Sequence, residues 1–262
     1  MVADWEGRLV QAANAPDECS VVQEVCRGYF LWLVHSRSRF GDSARVKVEP
    51  VLDLAGGAGF IESHAKAGEY KTGHSRKRIG RRYPLVGWAD GLSGKLWASA
   101  WLRLRVLAGC SAEIDQTLMP EVLTGGEFGV ARMKTSDGNL ILRELLTQSG
   151  VPNVQNYGTH SAKATLLSWA AKAGLNRADR KMLGGHSASK DKTMEEYSRD
   201  VLAKPLKALG ELLVSIRVGD FIPDATRSGR WARPGRRALA PGGAPAMGDG
   251  FDETEARPSP TE

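Results

Sequence analysis

Nowhere in this sequence is there an uninterrupted apolar run of the ~18 residues that a membrane-spanning helix requires, which sets aside a chain threaded through a bilayer as a helix. Cysteine is scarce: Cys19, Cys26 and Cys110 are an odd number and lack metal-ligand spacing. They suit a reducing compartment and read as packing residues rather than as a disulfide framework or a zinc centre. The opening stretch MVADWEGRLVQAANAPDE has neither the basic n-region nor the long apolar h-region of a secretory signal. No internal repeat is visible, and the G-x-S-x-G elbow of a serine hydrolase is absent.

What is present is ordinary in amount and uneven in distribution. The 262 residues are 42% hydrophobic and 25% charged, as expected of a globular protein. Thirty-six Lys and Arg against 30 Asp and Glu give a net charge of +6 and a pI near 9.3, a bias that permits nucleic acid without demanding it. The stretch YKTGHSRKRIGRRY concentrates Lys71, Arg76, Lys77, Arg78, Arg81 and Arg82 with no acidic residue among them. By itself such a run is a solvated loop or strand edge as readily as a nucleic-acid contact. From Arg227 onward Arg230, Arg233, Arg236 and Arg237 lie among Gly and Pro, followed by Asp249, Asp252, Glu253 and Glu255. With little apolar surface to bury, residues 225–262 are expected to be a disordered tail, so that the folded part ends near residue 224.

Periodicity predicts an α+β chain, predominantly α-helical. In residues 18–36 Val21, Val22, Val25, Tyr29 and Leu33 recur at helical spacing, and residues 1–17 are expected to form an extension ahead of this first helix. Three short extended pieces follow, VKVEPVLDL, GFIESHA and RRYPLVG, which predict a small sheet with a hairpin at the basic turn. From Ser93 onward Leu96, Trp97, Ala100, Trp101, Leu104 and Leu107 predict a helix with the two tryptophans in the core. A turn at LTGGEFG and a helix near NLILRELLTQSG precede the segment YGTHSAKATLLSWAAKAGL. That segment is a helix expected to bury Leu166, Leu167 and Trp169. A short helix at NRADRKML, a segment carrying Tyr197 and a final helix near PLKALGELLVSIR complete the order.

His160 and Lys163 open the YGTHSAK helix one turn apart, on one face and at the end where anions bind readily. A zinc site built on His160 and His186 would need further ligands that no Cys or Glu pattern supplies. A phosphodiester site needs only cations, hydrogen-bond donors and a nucleophile. Tyr197 is a candidate nucleophile provided that cations stabilise its phenolate.

At this point the residues resemble a known family. THSAKATLLSWAAKAGLNRADRKMLGGHSASKDKTMEEYSRD is similar to the catalytic core of the tyrosine recombinases, the phage-integrase family. There a His-x-x-Arg helix is followed by a Leu-Gly-His segment and a Thr-x-x-Tyr nucleophile. Matching elements are His160 and Lys163, then Leu183-Gly184-Gly185-His186, then Thr193 to Tyr197, with 26 positions between the two histidines. HSRSRFGD supplies Arg39 and, three positions on, Asp42, resembling the family's earlier Arg and its acidic partner. Lys71-Thr72 resembles the hairpin Lys of the family; Lys134-Thr135 offers the same dipeptide but falls after the helical region has begun. The resemblance covers roughly residues 18–217.

It implies a tyrosine-recombinase-like catalytic domain over residues 18–224, cutting and rejoining double-stranded DNA through a 3′-phosphotyrosyl link. Arg39, His160, Lys163 and His186 would stabilise the phosphate, Lys71 would protonate the departing oxygen, Tyr197 would attack, and Asp42 would support Arg39. Arg76, Lys77, Arg78, Arg81 and Arg82 would neutralise DNA backbone charge. No metal or other cofactor is implied; the expected partners are duplex DNA and further copies of the chain assembled on it. The compartment expected is the nucleus in a eukaryote and the cytoplasm or nucleoid otherwise. Two departures qualify the match. Lys163 stands where the family has its second Arg, and a Lys cannot grip phosphate as a planar fork. Nor does the sequence ahead of residue 18 provide the family's N-terminal DNA-binding domain, which is the pattern expected of a fragment. A DNA-binding module of the same fold with its chemistry weakened is the alternative, and an unrelated helical protein is the third.

Overall fold

The structure, a computed structural model, describes residues 1–16, 20–46, 50–54, 59–66, 82–110, 117–185 and 201–232. Helix begins earlier than the strong apolar periodicity does. Residues Val2–Asn14 form α1, and Val2, Trp5, Leu9 and Ala13 along one face are buried against α4 (Trp97–Leu107) and α2 (Val21–Ser36). The segment expected to be an extension before the first helix is therefore a helix of the core, with Val2, Trp5, Leu9 and Ala13 at helical spacing. A buried carboxylate docks it. Glu6 accepts from His35 Nε2 (2.8 Å) and from the amides of Leu92 (3.0 Å) and Ser93 (2.5 Å). The turn that presents those amides passes through Gly91 at φ 49, where a Cβ would stand 2.1 Å from Glu6 Oε1, so only glycine fits.

The axis of the fold is α2, buried around nearly its whole circumference, with the charge of its buried Arg27 paired to Glu24 at 2.9 Å. It packs against α1, α4, β3 (Arg82–Trp88), α5 (Thr135–Gln148) and α6 (Thr159–Lys172). Gly28 lets α4 approach: a Cβ there would lie 2.0 Å from Trp101, whose indole donates to Val25 O at 3.0 Å. Trp97 and Trp101 are both fully buried, as their spacing predicts.

The predicted small sheet is present as β1 (Val51–Asp53), β2 (Phe60–Lys66) and β3, antiparallel in the order β1-β2-β3. Registers run from Phe60↔Trp88 to Lys66↔Arg82, so residues 67–81 connect adjacent antiparallel strands. Ile61 and Ser63 face the core while His64 is exposed, the two-residue alternation of a half-covered sheet. The LTGGEFG turn, expected as a turn alone, joins a second antiparallel pair, β4 (Pro120–Val122) and β5 (Phe128–Arg132). Its strands are short and Val130 is exposed, so no apolar alternation announced them.

A 3₁₀ turn at Val154–Asn156 leads into α6, then α7 (Arg177–Leu183) and α8 (Ala203–Arg217). The ordered chain does not stop at 224. β6 (Phe221–Ile222) and β7 (Arg230–Trp231) pair antiparallel, with the Phe221 and Trp231 rings 4.7 Å apart. This hairpin holds the C-terminal half of α6: Lys172 Nζ donates to Pro223 O (2.7 Å) and Asp224 Oδ1 (3.2 Å), and the Trp169 indole donates to Asp224 Oδ1 (3.1 Å). Of the three anchors expected in α6, Leu166 is fully buried, whereas Leu167 and Trp169 are only half-buried. The fold is thus α+β, predominantly helical, with small antiparallel sheets; among the described residues no helix is long and apolar enough to cross a membrane.

Candidate active site

Arg39 is the N-cap of α3 (Phe40–Ser43), three residues past the last residue of α2. A four-residue helix has little stability of its own, and two buried aromatics of α2 hold this one. The Tyr29 hydroxyl donates to Phe40 O (3.0 Å) and the Trp32 indole donates to Ser43 Oγ (2.7 Å). Burial pushes the Tyr29 phenol far above its ordinary range, so Tyr29 is a strut and not a nucleophile. Fixed in this way, the Arg39 side chain is 37% exposed and lies 3.8 Å from the Asp42 carboxylate, the relation expected from their three-residue spacing. At that separation Asp42 holds Arg39 loosely, leaving its N–H groups able to reach an anion.

Short contacts connect Arg39 to the start of α6. Its neighbour Phe40 lies against Gly138 at the beginning of α5, where a Cβ would be 2.5 Å from the ring. The next residue, Asn139, accepts the Thr159 amide at 2.8 Å and so caps the first turn of α6 from outside. His160 follows and is exposed. Lys163, one turn on, is not. It is buried, and its ammonium donates to the Gly184 carbonyl at the end of α7 (2.8 Å). Of the two side chains expected to face a ligand from the helix start, His160 is the exposed one. For Lys163 the structure gives an inward contact that joins α6 to the Leu183-Gly184-Gly185 turn. His186 directly follows that turn.

Lys71, Arg76, Lys77, Arg78, Arg81, His186, Thr193, Tyr197, Cys19 and the tail from residue 233 lie outside the described residues. Arg82 is described as the first residue of β3, paired with Lys66. Lys134, the alternative to Lys71, is the N-cap of α5 and belongs to neither strand of the first sheet. Cys26 and Cys110 are buried, and burial raises the Cys26 thiol far above its ordinary range. Among the described residues no cluster of three His, Cys, Asp or Glu is arranged to hold a metal ion.

Sequence reasoning missed Arg37. It caps α2 in the left-handed region (φ 52, ψ 31), and its side chain is buried. Its guanidinium donates to His35 O, to Val86 O in β3 (2.9 Å) and to Leu183 O at the end of α7 (3.1 Å). In HSRSR two arginines stand two apart, and nothing in the letters says that the first turns inward.

No protein-family model and no curated protein matches the chain, so its own residues and their arrangement carry the functional argument.

Proposed function

We propose that this chain is a DNA strand-cleaving and rejoining domain of the tyrosine-recombinase kind. Tyr197 attacks a backbone phosphorus, the bond to the 5′-oxygen breaks, and the DNA 3′-end remains on the tyrosine until a second 5′-hydroxyl recovers it. Arg39, His160 and His186 stabilise the charge that builds on the non-bridging oxygens, with Lys163 beside them, and Lys71 protonates the departing oxygen. Asp42 steadies Arg39, and the cations of residues 76–82 neutralise flanking phosphates. Further copies of the chain assemble with it on paired DNA sites.

The observation that carries this reading is the ordered set Arg39, Lys71, His160, Lys163, His186 and Tyr197. The Lys163–Gly184 hydrogen bond brings the helix that opens with His160 against the turn at 183–185. Arg39 supports it from a third side, since α3 packs against both α6 and β2. The test is to offer the protein nicked duplexes of randomised sequence, whose cleavage releases a fragment and traps the enzyme on DNA. A denaturation-resistant protein–DNA adduct that disappears in Tyr197→Phe is the expected result; no adduct with the native chain overturns the proposal.

The same hydrogen bond favours a second reading. An ammonium buried on a backbone carbonyl is engaged where the family's Arg would grip phosphate, which suits a DNA-binding module without cleavage. That reading predicts salt-sensitive DNA binding and no adduct.

A further inference from the structure

We infer that Arg37 is a positioning residue, a buried guanidinium that ties together the end of α2, strand β3 and the end of α7, the segments that adjoin in sequence Arg39, residues 67–81 and His186. The importance of those segments rests on the strand-cleavage reading above; the tie itself is geometric. Arg37 lies two residues before Arg39, at the end of α2. Its Nη2 donates to Val86 in β3, one of the two strands that flank residues 67–81 and therefore Lys71. Its Nε donates to Leu183, three residues before His186.

The chemistry of the three acceptors explains why a cation is tolerated there. His35 O and Leu183 O belong to the last turns of α2 and α7, where carbonyls lack intrahelical partners and carry the negative end of the helix dipole. Two helix C-termini thus converge on one fork of donors. Among the described residues no carboxylate is paired with Arg37, and burial pulls its guanidinium down to about 9, which still leaves it charged at neutral pH. An apolar side chain would fill the same space without desolvating a charge. What it cannot do is hold three carbonyls in fixed directions, which the rigid guanidinium can. Lys163 completes the arrangement on the next carbonyl, Gly184. Two cations from different elements therefore grip consecutive carbonyls of the α7 end. Gly185, the next residue, takes φ 69.

Arg37→Met and Arg37→Lys in the full chain test this. Both keep an unbranched stem suited to the buried site; only Lys keeps a charge, and neither reproduces the fork. Hydrogen–deuterium exchange is expected to rise together in the segments around His35–Arg39, Val86 and Leu183–Gly185, with α1 and α8 unchanged. With nicked DNA at saturation, adduct formation by Arg37→Met is expected to slow by about a hundredfold, the scale of a small misplacement of reacting groups. DNA affinity stays near native, and Arg37→Lys restores part of the rate. A folded variant with unchanged exchange in the three segments, or one that loosens uniformly, overturns the assignment. So does a loss of rate that raising the DNA concentration repairs. If Arg37→Met does not fold, the exchange pattern of Arg37→Lys decides. If the native chain forms no adduct, strand cleavage falls, and the exchange pattern alone still upholds or overturns the tie.

Discussion

The Lys163 ammonium donates to the Gly184 carbonyl across 2.8 Å, joining α6 to the end of α7. A side chain that in sequence looks like a phosphate ligand is in the structure a strut for the turn at 183–185.

Lys163→Met removes the strut and leaves a buried carbonyl without its donor, at a cost of about 1–3 kcal/mol. Urea denaturation is expected to show that loss. Lys163→Arg keeps donors for Gly184 and adds a planar fork for phosphate, so adduct formation is expected to equal or exceed native. A stable Lys163→Arg protein that forms adduct more slowly contradicts this division of labour.

Gly28→Ala separates helix propensity from packing. Propensity alone favours alanine by about 1 kcal/mol. The new methyl would stand 2.0 Å from Trp101, whose indole holds Val25 O, and overpacking costs about 1–3 kcal/mol or more. Packing wins, so the urea midpoint is expected to fall and tryptophan emission to shift to the red. An unchanged or raised midpoint would show that α2 and α4 are not in this contact.

Acid stability reports on Glu6. Burial opposes its ionisation, but the His35 hydrogen bond and charge and the amides of Leu92 and Ser93 outweigh it, holding the carboxyl below its ordinary 4.5. Its folded value being the lower one, the unfolded chain binds more protons. The contribution is therefore full above about 4.5 and is lost as pH falls through the folded value. Glu6→Gln is expected to be less stable at pH 7 and to lose less stability on acidification through that window. A native-like slope in the variant would assign the acid sensitivity elsewhere.

Salt tests the basic stretch. If Arg76, Lys77 and Arg78 contact phosphates, replacing all three with Ser reduces the slope of log affinity against log salt by about 2 to 3, at about 0.9 per contact. Fluorescence anisotropy on a duplex measures it. An unchanged slope removes those residues from the interface.

The elements that sequence disclosed best were those with dense apolar periodicity. α2 and α4 declared themselves through Tyr29, Leu33, Trp97 and Trp101, all of them buried. α1 buries Val2, Trp5, Leu9 and Ala13 along one face, a helical spacing already present in the letters; the buried Glu6–His35 contact that helps to dock it is encoded by no local pattern. The Phe221–Trp231 hairpin was hidden in an Arg- and Gly-rich composition that resembles disorder until the two rings meet. In the candidate site, the spacing of Arg39 and Asp42 was legible because both lie on one helical turn. The inward turn of Lys163 and Arg37 was not, since it depends on backbone carbonyls distant in sequence: 21 residues away for Lys163, and 49 and 146 residues away for two of the three that Arg37 meets.

The most direct measurement is covalent trapping on nicked duplex DNA, with native protein, Tyr197→Phe and His160→Ala run side by side. Strand cleavage through a phosphotyrosyl link predicts a protein–DNA adduct in the native lane, none with Tyr197→Phe, and a reduced amount with His160→Ala. An empty native lane under conditions where the DNA is bound, or an adduct that survives Tyr197→Phe, contradicts it.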